Sequence, residues 1–198
     1  MSADDVIAAW DNADPAAIHP LRGVSEDAYW DSGRAQADML ATVLPAGGKV
    51  IDYGCGDGRV AIPLRAAGYD VTAVDSSQAM LDRLSERDPD MPVLLSRGTD
   101  LAEEYGKKAD AIVSLAVLIH YSYADALDLI AQMRATVNGR GGLLVLDWPV
   151  SETPSEAHDW IGVTTWSPEA QADACQRIGL KPIDSDLPWG VYKAAKAA

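Results

Sequence analysis

The chain has no phenylalanine, two cysteines and three histidines among its 198 residues. Cys55 and Cys175 are too few for a disulfide framework or for a zinc site built on paired cysteines, so both read as reduced thiols and no metal is expected. No apolar run approaches the ~20 residues that cross a bilayer. The opening stretch MSADDVIAAWDNAD carries acids where a secretory leader carries bases, so a cytoplasmic protein without membrane contact is expected. Basic residues are scarce as well: 16 Lys and Arg against 30 Asp and Glu leave a net charge of −14. A phosphate backbone is held by Lys and Arg, so nucleic acid is not an expected partner. Neither a repeat, a low-complexity tract nor a domain-separating linker is present, and the length suits a single core.

What is present changes character near Lys49. Before it, Ser2 is placed to cap the helical stretch ADDVIAAW, and Ser25 to cap a second helix reaching toward Leu44, with Gly33 expected to interrupt it. After it, the β-branched runs KVIDY, DVTAVD, PVLLS, DAIVSLAV and LLVLDW alternate with helical stretches near 58–67, 76–87 and 122–137. That alternation predicts an α/β domain, a mostly parallel sheet with helices on both faces. In the last of these helices Leu127, Ile130, Met133 or Arg134, and Val137 repeat at helical spacing, and Asn138-Gly139 reads as a left-handed cap. A polar loop, PVSETPSEAHDW, leads to a helix that Ser167 or Thr165 could cap and that Gly179 and Pro182 stop. Two short strands around Pro188-Trp189-Gly190 lie close enough to pair antiparallel.

Between the first two strands lies DYGCGDG, with glycines at 54, 56 and 58. A strand turning sharply into a helix exposes backbone N–H groups, and glycine lets a ligand approach them without a Cβ in the way. The dinucleotide fingerprint G-x-G-x-x-G would need a glycine where Arg59 stands. Asp52, at the end of the strand, would oppose a pyrophosphate but suit an ammonium group. A second acid, Asp75, ends the next strand in VTAVDSSQAML. His120 falls just beyond the fourth strand, at the carboxyl edge where open α/β sheets bind ligands, and is the candidate for a base there.

These residues resemble the class I S-adenosylmethionine-dependent methyltransferases, whose first motif reads like VIDYGCGDG, and the resemblance extends from about Tyr29 to Lys193. It implies a seven-stranded, doubly wound sheet with an antiparallel C-terminal strand. A helical lid would occupy residues 1–45, the cofactor-binding core 46–150, and the substrate-side loop, helix and last two strands 151–198. The implied cofactor is S-adenosyl-L-methionine. Gly54, Cys55, Gly56 and Gly58 would line its methionine half, with Asp52 near the amino group, Asp75 on the ribose hydroxyls, Ser76 bordering the adenine, and Leu115 a further cofactor contact. Thr99 or Asp100 would meet the adenine amino group, while Tyr29 and Arg34 resemble a segment that reaches the cofactor carboxylate. The implied reaction moves a methyl group to an N or O atom of a small molecule, with His120 as base or orienting group. Tyr121 and Tyr123 would orient the acceptor or cover the helix start, and Trp30 and Trp148 would line its site. The signature of nucleic-acid base modification, Asn/Asp-Pro-Pro-aromatic after the fourth strand, is absent from LAVLIHY. Two other readings remain open: a regulatory module that binds the cofactor without turnover, and a nicotinamide-dependent oxidoreductase.

Overall fold

A computed structural model describes residues 3–13, 23–139, 141–159 and 161–195. Ser2, His19 and Trp160 lie outside the described residues. Among the described residues the first elements are α1 (Ala3–Asp11) and α2 (Glu26–Leu40), the latter capped by Ser25, whose Oγ accepts the Ala28 N–H. There follow β1 (Lys49–Tyr53), α3 (Ala61–Ala66), β2 (Asp70–Asp75), α4 (Gln78–Arg87), β3 (Val93–Leu95), α5 (Leu101–Tyr105) and β4 (Ala111–Ser114). A short 3-10 turn (Leu118–His120) leads to α6 (Tyr123–Thr136), β5 (Leu143–Leu146), α7 (Pro168–Ile178), β6 (Leu180–Ile183) and β7 (Gly190–Ala194).

The seven strands form one sheet in the order β3-β2-β1-β4-β5-β7-β6. β1, β2, β3, β4 and β5 pair in parallel, and β7 runs antiparallel to both of its neighbours. Alternation along each strand sends successive side chains to opposite faces, which is why both faces carry a core. Ile51, Ile112, Leu144 and Leu146 pack on one face with Ile130 and Met133 of α6 and Cys175 of α7. Val50, Val71, Val113 and Val145 pack on the other with Leu40 of α2, Leu64 of α3 and Leu84 of α4. A sheet buried on both sides explains the near-continuous apolar strands of the sequence.

Several local expectations are corrected. Gly33 does not interrupt α2; it is buried within it, and a Cβ there would stand 2.0 Å from the Arg59 carbonyl oxygen, so the glycine lets helix and loop touch. Asn138-Gly139 forms no left-handed cap. Val137 leaves α6 extended, bridging Ala109, and the Asn138 side chain donates to Asp110. The fourth strand stops at Ser114 rather than Val117, because Ala116 adopts φ 56, outside any strand. Gly179 ends α7 in the left-handed conformation as expected, but Pro182 lies within β6, an edge strand where a missing N–H is tolerated.

Candidate functional site

The strand order reverses between β1 and β4, and a cavity of about 470 Å³ opens there beyond their carboxyl ends. Its lining brings together ten of the residues singled out from sequence: Tyr29, Asp52, Gly54, Cys55, Gly56, Asp75, Ser76, Leu115, His120 and Tyr121.

Backbone geometry builds the first end. Gly54 and Gly56 hold φ of 75 and 55. A Cβ on Gly54 would collide with Val117 Cγ2 at 2.1 Å, whereas one on Gly56 would meet nothing within 4 Å. Gly56 is thus the place where bare backbone faces open space. Gly58 serves another purpose: it is absent from the lining, and a Cβ there would press on Ile62 and Leu84, so it permits helix packing.

Two buried carboxylates flank this loop. Asp75 accepts the Gly56 N–H at 2.8 Å and the Ser77 N–H at 2.9 Å, bonds that hold its charged form while burial pushes its pKa up. Asp52 is 4% exposed, and its Oδ2 has no hydrogen-bond partner. Burial pushes Asp52 up to about 7, opposed by the nearby Arg59 charge and the Ala61 N–H. An orphaned carboxylate oxygen in an otherwise bonded site marks where a cationic donor belongs.

Arg59 is a lining residue that sequence reasoning left unassigned. It lines the cavity, donates to Ser32 Oγ at 3.0 Å and Gln36 Oε1 at 2.7 Å, and stands over the Tyr29 ring. Tyr29 is buried and donates to Asp57 at 2.7 Å; burial pushes its pKa up. The occupation of the third-glycine position by an arginine was the available signal. Arg34, by contrast, is exposed, paired with Asp31 and outside the lining, because its side of α2 faces away from the sheet.

The second end is made of side chains. His120 Nδ1 lies 3.2 Å from the Gly162 carbonyl oxygen; a carbonyl only accepts, so Nδ1 carries the hydrogen and Nε2 is left as an acceptor. Burial pushes the His120 pKa down, favouring neutral imidazole. Tyr121 lines the same wall, pushed up to about 12 by burial, and so keeps its proton. The loop after β5 is stitched to this wall: the Thr164 N–H donates to Ile119 O at 2.7 Å and its Oγ1 to Tyr121 O at 2.7 Å. Ile161 and Val163 from that loop, and Val6 and Trp10 from α1, complete the end. None of these four was singled out individually as a site residue, since nothing in the sequence brings residues 6, 120 and 163 together. α1 is tethered by Asp11, which accepts the Ser77 hydroxyl at 2.6 Å, and by the Ala13 carbonyl, which accepts Arg83 at 2.9 Å.

Several expected site residues lie elsewhere. Trp148 is 4% exposed and packs on Trp166 and Tyr192 in the core, because the chain turns inward after β5. Tyr123 caps that cluster, stacking edge-on against Trp166 and donating to Thr165 O at 3.0 Å. Trp30 lies outside the lining under the Arg87 guanidinium. Thr99 and Asp100 are exposed, bonded to each other at 3.3 Å, and outside the lining.

Residues 29–183 match the family described as "Methyltransferase domain". The chain belongs to that family. A ubiquinone biosynthesis O-methyltransferase of Rickettsia felis is 26% identical over 128 residues, 57% of this chain and 52% of that protein. The match thus spans about half the length of that curated relative. Among solved structures, a magnesium protoporphyrin IX methyltransferase from Synechocystis with bound SAM superposes with a TM-score of 0.67 at 19% identity, covering 100% of this chain and 98% of the other. A Burkholderia thailandensis 1,6-didemethyltoxoflavin-N1-methyltransferase gives 0.68 at 17% identity, covering 99% and 92%. These two likenesses establish the seven-stranded methyltransferase fold. No described helix is long and apolar enough to cross a membrane.

Proposed function

We propose that this protein transfers a methyl group from S-adenosylmethionine to an oxygen or nitrogen of a small molecule. The carrying observation is Asp52, buried at the cavity with one oxygen unbonded, beside Gly56, whose bare backbone faces open space. The donor set fits the cofactor. Asp52 suits its ammonium group, Asp75 retains lone pairs for ribose hydroxyls, Gly54 to Gly56 offer bare backbone, and Arg59 stands near enough to Asp52 to hold the carboxylate. When bound, the cofactor supplies an activated methyl group; the protein supplies orientation.

His120 Nε2 is an acceptor and is positioned to take or orient the acceptor molecule's proton. α1, with Trp10 edge-on to His120 at 5.8 Å, excludes water from that end as a lid. The net charge of −14 supports a small-molecule acceptor rather than nucleic acid, and two buried unpaired thiols suit a reducing cytoplasm. Incubation with methyl-labelled cofactor and a fractionated cell extract, followed by mass spectrometry, is expected to reveal one labelled small molecule. Cofactor binding with no S-adenosylhomocysteine produced from any fraction would instead identify a binding module.

A further inference from the structure

The acceptor end of the cavity has a chemical character of its own. Its walls are Val6, Trp10, Ile119, Ile161 and Val163 around His120. Among the described lining residues the acids and the arginine, Asp52, Asp75 and Arg59, lie in or just after β1 or β2 and belong to the other end. Ile161 and Val163 are 42% and 48% exposed, apolar surface standing on either side of the glycine whose carbonyl fixes His120. An anionic acceptor entering here would shed its hydration and face the Asp159 carboxylate, whose charge reaches His120, whereas an apolar body would cover these side chains favourably.

The one polar requirement comes from His120. With its Nδ1 hydrogen given to Gly162 O, Nε2 can accept but not donate, so the reacting group must itself be a donor. Neutral imidazole matches a hydroxyl of the phenol type, with a pKa of about 10, far better than an ordinary alcohol, whose proton is too weakly acidic to move. A flat ring also suits a lining that includes the Trp10 indole and Tyr121.

Resting on the methyl-transfer reading above, we infer that the acceptor is an uncharged aromatic hydroxyl compound, its ring against Trp10, Ile161 and Val163 and its O–H donated to His120 Nε2. In the reaction the phenolic oxygen's lone pair forms the new O–CH3 bond, and the electron pair of the broken C–S bond stays on the departing thioether sulfur. The hydroxyl proton passes to Nε2, so charge and atoms balance between sulfonium, phenol and imidazole.

The test is calorimetry on the intact protein saturated with S-adenosylhomocysteine, using 2-naphthol, decahydro-2-naphthol and 2-naphthoate as probes. We expect 2-naphthol to bind about tenfold or more tighter than the saturated alcohol and the carboxylate. Val163→Asp should weaken 2-naphthol about tenfold. Val163→Lys should raise 2-naphthoate affinity, and His120→Ala should weaken 2-naphthol while leaving naphthalene unchanged. Because residue 163 is exposed, folding of its variants is confirmed by unchanged S-adenosylhomocysteine affinity. Equal or tighter binding of the carboxylate, or indifference of 2-naphthol to both residue 163 variants, overturns the inference and leaves methyl transfer standing. Failure of the parent protein to bind S-adenosylhomocysteine overturns the methyl-transfer reading and this inference with it.

Discussion

At the Asp52 end of the cavity, residues 52–60 and 75–80 supply the lining, and main-chain groups fix its polar atoms: Asp75 is clamped by the N–H groups of Gly56 and Ser77. At the His120 end, walls arrive from three segments far apart in sequence, residues 6–10, 119–121 and 161–163, joined through Thr164 and Gly162 and closed by α1. Local chain geometry thus builds one end of the cavity, while side chains on connecting loops build the other. Loops on a rigid scaffold commonly carry specificity in this way.

The comparison predicts where substitutions strike. The largest effect on cofactor binding is expected for Gly56→Val, which fills open cavity space and forces a β-branched residue to φ 55. Binding of S-adenosylhomocysteine by calorimetry should fall on the order of 100-fold or more, equivalent to ~3 kcal/mol. Gly54→Ala separates packing from binding: its methyl would meet Val117 at 2.1 Å, so its melting temperature should fall below that of Gly56→Ala. Equal melting temperatures would remove the distinction between the two glycines.

Next in size is Asp75→Ala, expected to weaken the cofactor by about 1–3 kcal/mol while its partners Gly56 and Ser77 lose their acceptor. The loss should appear in the adenosine fragment alone as well as in the whole cofactor. Undiminished adenosine affinity would dissociate Asp75 from the ribose.

Asp52 gives a smaller, pH-dependent effect. Its folded-state pKa of about 7 lies above the unfolded carboxylate value, so the folded protein binds this proton more tightly. Stability contributed by the protonated form is therefore present at low pH and lost as pH rises from about 4 through 7, on the order of a few kcal/mol in all. Asp52→Asn should melt at a higher temperature than the parent at pH 8 and lose that slope. Cofactor affinity should run the other way, declining as pH drops below about 7 and Asp52 protonates, with the variant weak and flat throughout. Parallel pH profiles for parent and variant would refute the assignment.

The smallest effect on the cofactor is expected for Thr164→Val. It removes Oγ1 bonds to Tyr121 O and from the Ala157 N–H at a fully buried position, which should cost about 1–3 kcal/mol of stability. Acceptor binding should weaken while S-adenosylhomocysteine affinity holds. A matching loss at both ends would mean that the halves are one cooperative unit.

The sequence by itself determined the sheet and the end of the cavity that is built from backbone. KVIDY and DVTAVD form β1 and β2 at their expected bounds, and Asp52, Gly54, Gly56 and Asp75 meet at the lining because one strand-turn-helix-strand unit carries them all. Such short-range geometry follows from glycine spacing and β-branched runs, with little else to compete. Only tertiary structure decided that Arg59 rather than Arg34 faces the cavity, that Gly33 marks a helix contact instead of a break, and that Trp10 lines the site while Trp148 joins the core. Those outcomes depend on which distant surfaces pack together. An amphipathic arginine or tryptophan satisfies local rules equally well facing in or out, so burial across the fold makes the choice.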